Sequence, residues 1–336
     1  MRIALDAASG DLGPEVCVDG ALRASAETGE EVVLVGPRAV LEGILAKRSL
    51  GAAKITVVDA PDVIGMNEHP AKAVRQKPQS SIVVACDMVA RGEADAVFSP
   101  GNTGATMAAA LLKIQRIKGV ERPAIAIPMP TINGVSLLLD GGANAECRPH
   151  HLLQFALMGS IYYSSLTGVE SPTVGLLNVG EEPEKGNDLT IQTHKLLAAS
   201  GLNFIGNVEG RDIPFGKANV VVCDGFVGNV VLKFAEGIGR ALFDMIKEEI
   251  GKSLLLKIGG ALARPAFVSV KRRLDDSEYG GAPLLGVNGV TLIGHGRSNA
   301  KAVYNAIKAA VKTKRDGVTN QIALAVQNYA QLISEV

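Results

Sequence analysis

No two cysteines in this chain stand close enough to suggest a shared metal or a bridge. Cys17, Cys86, Cys147 and Cys223 lie far apart, with no C-x-x-C pair and no histidine at ligand spacing. That argues against a zinc site and gives no disulfide framework. Net charge is absent too: Lys plus Arg and Asp plus Glu both number 34. No global field therefore favours nucleic acid, and only local patches can argue for a charged partner. No apolar run reaches the length of a membrane span, and the opening MRIALDAASGD meets Asp6 too early for the core of a secretory signal. The expectation is a cytoplasmic protein that touches a membrane only at its surface. Also missing are G-x-S-x-G and G-x-x-x-x-G-K-[ST], so a serine hydrolase and a P-loop NTPase lose support. Gly294-His295-Gly296 comes nearest to a dinucleotide fingerprint, but Asn299 stands where its third glycine belongs.

What is present describes a globular α/β protein. Apolar residues make up 47% of 336 and charged residues 20%, enough to bury a large core in one domain or two lobes. Short β-branched runs at 2–5, 31–35, 55–59 and 96–99 alternate with amphipathic segments, the pattern of βαβ units. Further strands are expected at 124–128, 135–140, 173–177 and 220–223, and a hairpin around Asn288-Gly289. Residues 62–79 read as a polar excursion, and 298–314 and 318–336 as two closing helices. The predicted architecture is a Rossmann-like sheet wrapped by helices, one catalytic unit over 1–336 with two lobes around a cleft.

Residues 174–188, VGLLNVGEEPEKGND, organise the chain. A buried strand runs into a polar loop in which Lys185 is the lone cation among acids, and Asn187 or Asp188 can cap the helix that follows. Such loops at the carboxyl ends of strands are where α/β proteins place ligands. The loops at Asn102-Thr103-Gly104 and Gly228-Asn229 share the design of small residues with an amide or hydroxyl. Backbone N–H groups at a helix start attract anions and glycine permits close approach, so the three loops together predict an anion-binding cleft. Each alone is equally well explained as a helix cap. His295, between two glycines after a strand, is a minor candidate for the same cleft. His150 and His151 are adjacent on a helix, which points them apart and suits a metal poorly; no metal is expected.

Residues 252–273, KSLLLKIGGALARPAFVSVKRR, break the rhythm. Gly259-Gly260 and Pro265 are expected to interrupt a helix, gathering Leu254, Leu255, Ile258, Leu262 and Phe267 at a protruding tip ringed by Lys271, Arg272 and Arg273. An apolar tip with cations suits an anionic bilayer surface or a partner's groove.

LLNVGEEPEKGN, GNVEGRD at 206–212, VVVCDGFVGN, SPGNTGA and LLDGGAN together resemble the bacterial phosphate acyltransferases of phospholipid synthesis. The resemblance runs from the opening LDAASGDLGPE to APLLGVNGVTLIGHG. It implies transfer of a fatty acyl group from acyl carrier protein to inorganic phosphate, giving acyl phosphate, with no cofactor. It also implies a fold like the isocitrate and isopropylmalate dehydrogenases, a homodimer, attachment to the inner membrane face, and a downstream glycerol-3-phosphate acyltransferase. Catalytic weight falls on Lys185 and Asn229, and phosphate on Asn102, Thr103 and Gly104; Asp224 is a candidate to orient Lys185 or a water. Ala8-Ser9, Pro100 and Arg297 depart from the family's pattern. Acyl carrier proteins are acidic, so a basic docking patch is required, with Lys271-Arg272-Arg273 and Lys312-Lys314-Arg315 as candidates. Alternatives are a phosphate acetyl- or butyryltransferase using coenzyme A, an NAD-dependent decarboxylating dehydrogenase, which needs an aspartate cluster not found here, and a catalytically silent membrane-surface scaffold.

Overall fold

The computed structural model describes residues 1–334. Its first part is a run of βα units: β1 (Arg2–Asp6), α1 (Pro14–Thr28), β2 (Glu31–Gly36), α2 (Arg38–Leu45), β3 (Lys54–Asp59), α3 (Pro70–Gln76), α4 (Ser81–Ala90), β4 (Ala96–Ser99) and α5 (Thr103–Lys113). The chain then passes from β5 (Ala124–Ile125) through Ala126 into β6 (Ile127–Thr131), and these two short strands belong to different sheets. The second part holds β7 (Gly134–Leu139), α6 (Pro149–Thr167), β8 (Val174–Asn178), α7 (Asp188–Ala198), β9 (Phe204–Glu209) and β10 (Val220–Val222). Two long helices follow, α8 (Gly225–Gly251) and α9 (Leu254–Arg273). The chain returns through β11 (Ala282–Leu285) and β12 (Val290–Ile293) before α10 (Ala300–Arg315) and α11 (Val318–Ser334).

The result is two sheets rather than one. The first has the order β3-β2-β1-β4-β12-β11-β5, parallel from β3 to β12 with β11 antiparallel. The second has the order β6-β7-β10-β8-β9, parallel except for β6. Period-two alternation assigns the faces. In the first sheet Ile3, Leu5, Leu34 and Phe98 pack with Cys17, Val18, Val303 and Ile307 of α1 and α10. Ala4, Val33 and Val97 face Ile82, Cys86, Ala105 and Ala109 of α4 and α5. In the second, Leu137, Leu139, Leu176 and Val222 pack on α6, α7 and α11. Its other face, Leu138, Leu177, Val208 and Val221, is covered by Val231, Leu232 and Ala235 of α8.

The βα reading of the first part is borne out, and three elements are added along the whole chain. The helix α2, the helix α3 inside the expected excursion and the strand β9 carried too few periodic residues to stand out. Residues 254–273 correct the sequence reading more sharply, because α9 is one continuous 20-residue helix despite Pro265. Ser253 caps it by accepting from Leu256 N–H (3.2 Å), and Lys271, Arg272 and Arg273 complement its carboxyl end. Gly260 faces Ile250 of α8, so it serves as a contact between the two helices. A continuous helix also separates what was expected to cluster. Leu254 and Lys271 are 17 residues apart, about 25 Å at about 1.5 Å per residue.

Candidate active site

Parallel strands deliver their loops to one edge, so the nominated residues fall into two groups, one per sheet. In the first sheet the loops after β1, β4 and β12 meet: Asp11 N–H donates to Gly296 O (2.7 Å) and Gly294 N–H to Ser99 O (2.7 Å). Asn102, Thr103, Gly104 and His295 belong here. In the second sheet the loops after β7, β10 and β8 stand side by side, carrying Asp140, Asp224 and Asn229, and Lys185 and Asn187. The loop after β7 links the groups. Ala143 packs against the core cluster that contains Ala105 and Ala109 of α5, while Gly142 lies against the side chain of Asn229.

Several nominated residues are occupied structurally. Asn102, Asn187 and Asp224 each cap a helix, accepting from Ala105, Thr190 and Val227 N–H at 3.0, 3.0 and 2.9 Å. The Asn102 amide also donates to Met66 O (2.9 Å). A Cβ on Gly104 would lie 2.6 Å from Pro70, so glycine here lets the start of α3 pack against the start of α5. His295 closes a turn, its Nδ1 accepting from Arg297 N–H (3.3 Å). Asp6 sits wholly buried below this first group, held by the Ser99 hydroxyl (2.6 Å) with its other oxygen unpartnered. Burial raises its pKa against the opposing pull of the Ser81, Ser99 and Ser9 hydroxyls and the Ala8 backbone.

The second group keeps its nominated pair open. Lys185 and Asn229 are exposed, and among the described residues the Lys185 ammonium makes no hydrogen bond or ion pair. Its neighbour Glu181 is already paired with Lys217, which also reaches Asp212 (3.2 Å).

Asn229 is seated by close backbone contact. A Cβ on Gly228 would lie 1.9 Å from Asp140 O, so glycine alone lets α8 start this near β7. Gly225 N–H donates to Asn144 O (2.8 Å), locking the first turn of α8 to the same loop. The buried Asp140 carboxylate gathers the N–H groups of Ile125, Gly142, Ala143 and Asn144 and the Asn144 amide, at 2.7–3.1 Å. Burial raises the Asp140 pKa, opposed by these donors.

No cysteine offers a thiolate. Cys147, in the loop after β7, is pushed up to about 12 by burial and by the charges of Asp140 and Asp224. Cys17, Cys86 and Cys223 are raised further, chiefly by burial. A covalent cysteine intermediate is disfavoured, because only the thiolate attacks.

His150 and His151 do not point apart. Their Nε2 atoms lie 2.8 and 3.2 Å from the same Glu121 oxygen. The three ligand-type atoms lie within 4.8 Å of one another, but the tautomer opposes a metal. His151 Nδ1 accepts from Arg148 N–H (3.1 Å), so the neutral ring carries its proton on Nε2. Coordination through Nε2 would put that proton on Nδ1, facing another N–H.

Of the two basic clusters, Lys312, Lys314 and Arg315 are paired with Asp316, Asp95 and Glu30. On α9, Arg272 pairs with Glu278, while Lys271 and Arg273 have no ion-pair partner among the described residues. Leu254, Leu255, Ile258 and Leu262 are 54–79% exposed and Phe267 is half-buried. No helix among the described residues is long and apolar enough to cross a membrane.

The chain resembles known proteins along its whole length. The family model described as "Fatty acid synthesis protein" matches residues 1–321. A phosphate acyltransferase of Elusimicrobium minutum is 51% identical over 337 aligned residues, covering 100% of this chain and 99% of that protein. One from Desulfitobacterium hafniense is 52% identical and covers 96% of each. Among solved structures, the EutD phosphotransacetylase from Staphylococcus aureus superposes with a TM-score of 0.63 over 94% of each chain at 16% identity, a likeness of fold. The whole-length identity to these relatives and the family model together show that the chain belongs to the phosphate acyltransferase family.

Proposed function

We propose that this protein is an acyltransferase that moves a long-chain fatty acyl group from the thioester of acyl carrier protein to inorganic phosphate, forming acyl phosphate for phospholipid synthesis. The observation that carries the reading is the unpaired Lys185 ammonium on the loop beside Asn229, in a chain half identical to named phosphate acyltransferases. A phosphate oxygen attacks the thioester carbonyl carbon, the C–S bond breaks, and the thiolate leaves and takes a proton from water. Phosphate is its own nucleophile and thiolate a good leaving group, so the step needs positioning and charge stabilisation. Lys185 holds the phosphate and offsets its charge; the Asn229 amide donates to the carbonyl oxygen as it becomes an oxyanion. The helix starts at Thr103 and Gly104 are the second anchor for phosphate.

The exposed stripe on α8 and the hairpin it forms with α9 support a homodimer in the cytoplasm that rests on an anionic membrane. There a glycerol-3-phosphate acyltransferase would consume the product. Leu254 and Leu255 at the hairpin turn are the lipid contact. Lys271 and Arg273, at the far end of α9, are the surface for the acidic carrier protein. Two parallel-rich sheets are compatible with a fold like the isocitrate and isopropylmalate dehydrogenases, with the site read as a cleft between them.

The test follows thiol release from palmitoyl-acyl carrier protein with and without inorganic phosphate. Release that requires phosphate, yields acyl phosphate and falls about a hundredfold or more in Lys185→Ala is the expected result. Turnover of acyl-coenzyme A alone would replace the donor, and no turnover with either would leave a scaffold.

A further inference from the structure

The position of Lys185 is set by a neighbour that does not touch it. Its own N–H donates to Glu182 O (3.1 Å), and its carbonyl accepts from the Asn178 amide (2.9 Å). The same Glu182 oxygen accepts Asn207 Nδ2 from β9 at 2.8 Å. With the amide nitrogen spent there, Asn207 Oδ1 faces His194 and accepts its Nδ1–H (2.9 Å). The His194 ring is held edge-on against Phe204, 5.1 Å between centroids. Asn207 is 3% exposed, so a lost partner there is not replaced by water.

A bulge aims it. Val174 pairs with Phe204 but Leu176 pairs with Asn207, so β9 carries one extra residue, and Gly206 takes φ 94° to hold it. Bulges re-aim side chains beside functional sites. This one sets Asn207 opposite Leu176, on the face where α7 brings His194.

We propose that Asn207 is a positioning residue for acyl transfer: bridging His194 to the Glu182 carbonyl, it fixes the backbone from which Lys185 meets phosphate. The proposal rests on the assignment of phosphate charge to Lys185. Asn207→Asp is isosteric, keeps the acceptor for His194 and removes the donor to Glu182. With full-length protein and palmitoyl-acyl carrier protein, it is expected to lower kcat/KM for phosphate about tenfold or more. The KM for the carrier protein should stay near wild type, while the Tm falls because a buried carboxylate then faces the Glu182 carbonyl, so the kinetics are read well below that Tm. In a Lys185→Ala background the same change should cost little, because the group it positions is gone.

Wild-type kcat/KM in Asn207→Asp, or its full loss repeated on top of Lys185→Ala, would overturn the proposal. If Lys185→Ala is itself fully active, the reading of Lys185 falls and this inference with it. A crippled Lys185→Ala beside an indifferent Asn207→Asp removes only the role of Asn207. Should Asn207→Asp fail to fold, His194→Ala opens the other end of the bridge. It must then raise the KM for phosphate, and an unchanged value rejects the proposal.

Discussion

At the scale of single residues, one side chain often meets a structural need before a chemical one. Asn102 and Asn187 carry amide donors that suit phosphate and Asp224 an acceptor that suits a lysine or a water, yet each gives an oxygen to a helix N–H. Lys185 differs because its ammonium has no hydrogen-bond or ion-pair partner among the described residues. His151 gives a pH-dependent case. Burial, then the neighbouring His150, lowers its pKa below the ordinary 6.5, against the pull of Glu121. The unfolded chain therefore binds that proton more tightly than the folded one. The stability is fully present above the unfolded value and is lost as pH falls through the folded pKa. Protonation also turns Nδ1 from acceptor to donor and breaks its bond with Arg148 N–H. Thermal unfolding measured from about pH 7 to about pH 5 is expected to lose stability in the wild type, and less in His151→Gln. Equal slopes would remove His151 from the pH response.

At the scale of elements, α9 decides where apolar and basic groups can act. Pro265 and the Gly259-Gly260 pair suggested a broken segment with both at one tip. The continuous helix puts Leu254 and Leu255 at the turn and Lys271 to Arg273 near the globular body. On the proposed membrane reading, Leu254→Glu with Leu255→Glu should cut binding to anionic vesicles by roughly tenfold or more, since each leucine contributes about 1.5–3 kcal/mol when buried. Replacing Lys271, Arg272 and Arg273 by alanine should leave vesicle binding nearly intact and raise the KM for acyl carrier protein. Co-sedimentation that responds only to the basic triplet would reverse the assignment. The β9 bulge works at the same scale: one added residue decides whether Asn207 joins the loop of Lys185 or turns to the opposite face of the sheet, under α8.

At the scale of the molecule, α8 is the unfinished surface. Phe226, Val230, Phe234, Ile238 and Leu242 recur every four residues at 43–70% exposure, one stripe along a 27-residue helix. Soluble monomers rarely leave so long an apolar stripe open. On the dimer reading a second copy covers it, and analytical ultracentrifugation should give twice the 34.9 kDa chain mass. Phe234→Glu with Leu242→Glu should return it to one chain mass. A wild-type monomer would refute the dimer and leave the stripe for another partner.

The sequence alone determined the alternation of strands and helices in the first part, the return hairpin at Asn288-Gly289, the closing helices and the Lys185 loop. Each is written in local periodicity, Gly and Pro punctuation and caps. The tertiary structure decided what depends on residues distant in the chain. Ala126 divides one expected strand between two sheets, because β5 finds β11 while β6 finds β7. That division puts Asn102 and Asn229 on the loops of different sheets, joined through the loop after β7. Asn207 lay inside GNVEGRD with only Gly206 as a hint of a bulge, and its worth depends on partners 13 and 25 residues away. Burial, register and long-range hydrogen bonds are properties of the packed chain, and they chose which polar residues cap helices and which remain unpaired.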